Sequence, residues 1–157
     1  MNLGELEAAK ELAAEALAAQ PDDVKTLQLN AQVQLVDGEL AAAASLLRQA
    51  VEADPYSHSA RTQLSQVLTR LGENDESKMH AQRADELQIL WQQFSDLQID
   101  AINQMTNADI RYQIGKLAAQ LGKPELAVSW YRAALAINPA LQPAAEALNE
   151  ISSPQIN

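Results

Sequence analysis

The chain has 157 residues, among them 29 Ala, 22 Leu and 17 Gln but only 18 Val, Ile and Thr together. So many helix formers argue against a β-rich fold and against disorder. Twenty-one carboxylates against eleven Lys and Arg leave a formal net charge of −10, which argues against nucleic acid and anionic lipid as partners. Cys is absent, so disulfides, thiolate metal sites and Cys nucleophiles are excluded. Apolar runs such as Leu40 to Ala44 are far below the roughly 20 residues of a spanning helix, so no membrane insertion is expected. The opening MNLGELEAAK is acidic and amphipathic and does not read as a signal peptide. With few aromatics, the core must be built from closely packed Ala and Leu.

Taken in chain order, the elements repeat. Gly4, Gly38 and Gly72 are 34 residues apart, as are Pro21 and Pro55. A constant interval of 17 separates Gly4 from Pro21, Gly38 from Pro55 and Gly122 from Pro139. Residues 1–21 form a partial repeat whose helix carries Leu6, Ala9, Leu12, Ala13, Ala16 and Leu17 on one face. Residues 22–55 form a repeat, with one helix near Leu27 to Val36 and a second marked by Leu40, Ala43, Leu47, Ala50 and Val51. Residues 56–89 form the next, with Leu64 to Leu71 in its first helix. In 107–139, Ile110 to Leu121 precedes Gly122, and Leu126, Ala127, Trp130, Tyr131, Ala134 and Leu135 follow it. Residues 140–151 form a capping helix before a polar tail, 152–157. Each Gly suits the left-handed residue after a helix, and each Pro stands where a helix has ended. Asp22, Ser57, Pro143 and a Thr106–Asp109 capping box are the expected helix-start signals.

The register breaks once, because Gly72 and Gly122 are 50 residues apart. Ile89 stands where a terminating Pro is due, and no Gly or Pro occurs from Asn74 to Met105. A helix from near Asp75 therefore runs on toward Gln104 through an extension at 90–106, or breaks near Ser95–Asp96. Leu87, Leu90, Trp91, Phe94, Leu97, Ala101, Ile102 and Met105 make an apolar stripe along it. That stripe either packs on the last repeat or offers a surface to a partner or second copy.

At this point the chain resembles the tetratricopeptide repeat (TPR) family, whose unit is a 34-residue helix–turn–helix. The matching residues are Gly38, Ala43, Leu47, Ala50 and Pro55 in one unit, and Gly115, Gly122, Ala127, Tyr131, Ala134 and Pro139 in another. Leu64, Gly72, Ala81 and Ala84 match in the middle unit, and Gly4, Ala9, Ala13, Ala16 and Pro21 in the first. The family's early aromatic is replaced by Leu27, Arg61 and Arg111, and its mid-helix Tyr by Gln34, Leu68 and Ala118. The resemblance implies an all-α, right-handed TPR superhelix (an α-α solenoid) over 1–151, with an elongated helix before the last repeat. Some bacterial TPR proteins look similar in that elongated helix.

The resemblance also implies a concave face lined by first helices, where a partner protein or peptide is held. By repeat phase those inward positions are Lys25, Gln28, Leu29 and Gln32, then Thr62, Gln63, Gln66 and Arg70, then Asp109, Tyr112, Gln113, Lys116 and Gln120. Gln28, Gln32, Gln63, Gln66, Tyr112, Gln113 and Lys116 are the candidate peptide-binding residues. Amides can both donate to and accept from a peptide backbone, and Tyr112 adds an aromatic contact. The Lys and Asn set that clamps a terminal carboxylate in chaperone-binding relatives is missing. Gln28, Leu29, Gln32, Ser59 and Gln63 stand in its places.

Nothing in the sequence argues for catalysis, a metal or a cofactor. His58 and His80 read as solvent-exposed and without a carboxylate at ligand spacing. Gly115-Lys116 lacks the preceding glycines of a phosphate loop. Asp22–Asp23 and Glu73–Asp75–Glu76 suit helix N-termini. The expected function is a non-enzymatic protein-interaction scaffold. One alternative is a self-association module, such as a homodimer, using Leu87, Leu90, Trp91, Phe94 and Leu97 or the N-terminal flank, where the partial repeat is expected to leave the apolar face of its helix (Leu6 to Leu17) open. Another is the interaction portion of a larger enzyme. No residue points to a compartment.

Overall fold

A computed structural model describes residues 3–153, with side chains from residue 7 onward. The polar tail expected at 152–157 lies outside the described residues from 154 on. The described residues form eight α-helices and no strand: α1 (Leu3–Ala19), α2 (Val24–Asp37), α3 (Leu40–Ala53), α4 (His58–Leu71), α5 (Asn74–Asn103), α6 (Ala108–Gln120), α7 (Pro124–Ile137) and α8 (Gln142–Ser152). They group into two compact units, Met1–Leu87 and Gln88–Asn157. The architecture is that of an all-α helical-repeat solenoid. Helix α5 is continuous for 30 residues and does not break at Ser95–Asp96.

Local chemistry sets the helix ends. Gly38 (φ 87°) and Gly72 (φ 83°) are left-handed caps. At the first, Glu39 N–H donates to the Gln34 carbonyl at 2.9 Å and Gly38 N–H to the Leu35 carbonyl at 3.3 Å, which satisfies the last turn of α2. Two caps differ from expectation by one residue. Asp23, not Asp22, starts α2, accepting from Thr26 N–H at 2.8 Å and the Thr26 hydroxyl at 2.9 Å. Asn107, not a Thr106–Asp109 box, starts α6, accepting from the N–H groups of Asp109 and Ile110. The neighbouring residues have equally suitable side chains. What selects Asp23 and Asn107 is their extended backbone, with ψ of 120° and 104°.

In the first unit the core is aliphatic, with Ala31, Ala43, Ala44, Leu47, Leu64, Val67 and Leu68 buried together. Small Ala side chains let neighbouring helices approach closely while Leu fills the space between them. Polar groups tie the helices at set points. Buried Asn30 donates from Nδ2 to the Ala13 carbonyl at 2.8 Å, linking α2 to α1. Ser77 donates to the Ser65 carbonyl at 2.8 Å and shares hydroxyl contacts with Ser65 and Thr69, linking α5 to α4. Arg48 on α3 bonds Glu73 and Glu76 at 2.6 and 2.7 Å.

The core of the second unit uses Phe94, Ala101, Ile114, Ala118, Leu121, Ala127, Tyr131, Ala134 and Ala144. A Cβ on Gly115 would lie 2.5 Å from Tyr131 Cε1, so this glycine is a packing surface for the α7 ring. Tyr112 also packs on Tyr131, with centroids 5.8 Å apart.

Candidate interaction surface

Helices α2 and α4 contribute Gln-bearing faces to one pocket. Gln32 and Leu35 from α2, with Gln63, Gln66, Val67 and Arg70 from α4, enclose a pocket of about 300 Å³. In the second unit Gln113, Lys116, Leu117 and Gln120 of α6 face Gln93, Asp96 and Leu97 of α5 across a pocket of about 460 Å³.

The two pockets share a plan. Gln63, Gln66, Val67 and Arg70 lie 50 residues before Gln113, Lys116, Leu117 and Gln120, the same interval that separates Gly72 from Gly122. Corresponding positions of two first helices therefore build one wall of each pocket. The opposite wall is another first helix in the first unit and the extended part of α5 in the second. The repeat pattern does not single out Gln93 and Asp96 as lining residues. The available signal is the length of the 90–106 extension, which matches that of one further helix.

Among the described residues, the side chains of Gln32, Gln63, Gln66, Gln93, Gln113 and Gln120 form no hydrogen bond within the protein. Gln28 differs, donating to Ser59 Oγ at 3.0 Å as a structural bridge. Tyr112 is half-buried against Tyr131 and does not line the second pocket. Leu29 is exposed on α2 but does not line the first pocket. Thr62 turns back to donate to the His58 carbonyl at 2.9 Å.

The apolar stripe of α5 is split. Leu87, Phe94 and Ala101, seven residues apart, are buried. Leu87 and Phe94 are therefore not surface groups. Leu90 is half-buried, and Leu97 is half-buried at the second pocket. Trp91 stacks edge-on against Phe94 at 5.6 Å and lies under Lys123 Nζ, 5.3 Å from the ring centroid. Ile102 and Met105 point into solvent.

Both histidines depart from expectation. His58 is half-buried and His80 is buried. Ser77, His80, Ala84 and Leu87 share the buried face of α5, which accounts for His80's position. A carboxylate does stand near His80: Glu76 Oε1 is 3.6 Å from Nε2, and Arg61 Nη1 is 3.2 Å from Nδ1. A guanidinium only donates, so Nδ1 carries the lone pair and Nε2 the proton. Burial, then the neighbouring Arg61 charge, hold His80 below the usual imidazole range. Hydrogen bonding from Arg48 holds Glu76 below the usual carboxylate range.

Residues 108–141 match the tetratricopeptide repeat family model. No curated protein sequence is significantly similar to the chain. Among solved structures, MamA is similar at 20% identity, with 96% of this chain and 83% of that chain covered and a TM-score of 0.51. TTC0263, a TPR protein of Thermus thermophilus, is similar at 19% identity, with 95% and 74% covered and a TM-score of 0.50. At these identities the likeness concerns the fold. The chain is thus a helical-repeat protein. More closely, α6, α7 and the turn after them match one tetratricopeptide repeat. Among the described residues no helix is long and apolar enough to cross a membrane.

Proposed function

We propose that this chain is a non-enzymatic interaction scaffold that holds an extended segment of a partner protein against its glutamine-bearing first helices. The observation that carries this reading is the repeated amide set. Gln63 and Gln66 on α4, and Gln113 and Gln120 on α6, face pockets and have no hydrogen-bond partner within the described protein. An extended peptide exposes alternating carbonyls and N–H groups, and a primary amide can meet either. Leu35, Val67, Leu97 and Leu117 supply apolar ground for its side chains.

Selection of a random dodecapeptide phage library on the wild-type chain tests this. Recovered peptides should lose about tenfold or more in affinity when Gln63, Gln66, Gln113 and Gln120 are all changed to Ala, with helicity by circular dichroism unchanged. Unchanged affinity in that folded variant would refute the reading. Self-association through α5 is the second reading. Exposed Ile99, Ile102 and Met105 favour it, whereas the burial of Leu87 and Phe94 weighs against it. A monomer by light scattering at high concentration would eliminate it.

A further inference from the structure

The first pocket differs from its surroundings in charge. The unit Met1–Leu87 holds fifteen carboxylates and seven Lys or Arg. Four of its cations are engaged: Lys10 with Glu7 and Asp37, Arg48 with Glu73 and Glu76, Arg83 with Glu86, and Arg61 with the Pro55 carbonyl and His80. Arg70 is exposed at the end of α4 and lines the pocket, with no carboxylate within 4.0 Å among the described residues. Its position in the last turn favours the helix dipole, but this leaves its guanidinium donors unused. No acidic side chain lines this pocket. The second pocket is built otherwise, because Asp96 of α5 stands there together with Lys116.

We infer that the first pocket selects a partner segment carrying an internal Asp or Glu side chain, which Arg70 pairs while Gln32, Gln63 and Gln66 meet the adjacent backbone. The occupant is an acidic, extended stretch within a partner chain, not a chain-terminal carboxylate. Lys25 and Lys78 of this unit are also exposed without an ion pair among the described residues, but neither lines the pocket; Arg70 is the cation among its lining residues, so within the pocket the charge fixes the segment's register. Asp96 offsets Lys116 in the second pocket, which therefore does not share the preference. This inference rests on the peptide reading above.

The test uses the full chain and the same phage library, whose peptides are fused through their C-termini and so present only internal carboxylates. The expected result is enrichment of Asp or Glu at one position on the wild-type chain. That enrichment should vanish on Arg70→Gln and largely return on Arg70→Lys. A selected acidic peptide, synthesised with an amidated C-terminus and a fluorescent label, should bind Arg70→Gln about fivefold more weakly. Lys78→Gln, at an exposed cation of the same unit that lines neither pocket, should change its affinity less than twofold. Peptides recovered without acidic enrichment would overturn the inference and leave the peptide reading standing, as would an acidic peptide indifferent to Arg70→Gln. Failure to recover any peptide would overturn both.

Discussion

The pairs α4–α5 and α6–α7 use the same positions 50 residues apart, yet they join in opposite ways. Where α4 has Ser65, α6 has Gly115. Where α5 has Ser77 and Ala81, α7 has Ala127 and Tyr131. In the first pair, hydroxyls of Ser65, Thr69 and Ser77 meet across the helices. In the second, the ring of Tyr131 lies over a helix stripped of its side chain at Gly115. One backbone plan thus tolerates a polar joint or an aromatic one, provided that volume removed from one helix is returned by its neighbour.

The largest expected effect comes from forcing the aromatic joint toward the polar one. Gly115→Ser places atoms where the Tyr131 ring lies and should cost about 2 kcal/mol or more by overpacking. It should also speed hydrogen exchange at the amides of Ile114 to Leu121. Adding Tyr131→Ala should recover part of the loss, and strict additivity in urea melts would show that the two residues are not coupled. Pushing the polar joint the other way should cost less. Ser77→Ala fits sterically, since Ala127 already occupies the equivalent position, but it removes the donor to the Ser65 carbonyl. About 1 kcal/mol is expected in urea melts, and no loss would mean that the hydroxyl cluster contributes nothing net.

The smallest effect concerns acid, and it belongs to the first unit. His80 is held below its unfolded imidazole range. The stability it contributes is therefore full above the unfolded value and is lost as pH falls through the lowered folded one. Protonation would also set an N–H on Nδ1 against the Arg61 guanidinium. His80→Gln should flatten the dependence of the urea midpoint between pH 8 and 5 relative to wild type. Parallel curves would remove His80 from the account. Glu76, held low by Arg48, and Asp23, held low by the Thr26 N–H, remain in the variant and contribute acid sensitivity at lower pH.

The repeat is legible because it is written in short-range chemistry. A left-handed Gly, a terminating Pro and a 3.6-residue apolar rhythm act within one or two turns, and all precede any packing. The run of α5 through 90–103 is legible only in part: no breaker interrupts it, but the sequence also allows a break near Ser95–Asp96, which does not occur. What stays hidden depends on which faces meet. Asp96 becomes a pocket residue only through the placement of α5 beside α6. Gln28 and Gln32 look equivalent in sequence, but Ser59 lies within reach of Gln28 and none of the described side chains bonds Gln32. His80 reads as exposed because a lone imidazole in a polar stretch gives no periodic signal. Only its spacing from Ser77, Ala84 and Leu87 carries that information.

The unpartnered pocket amides have a further consequence for discrimination. In the unbound protein their hydrogen bonds go to solvent, and an occupant must replace those bonds or forfeit them. A greasy segment of the right size would strip the water and return nothing, so the pocket penalises it. Recognition at such a surface works largely by refusal. If the glutamines hold a partner segment as proposed, they would also suppress indiscriminate sticking to exposed apolar chains, the usual hazard for an open helical array.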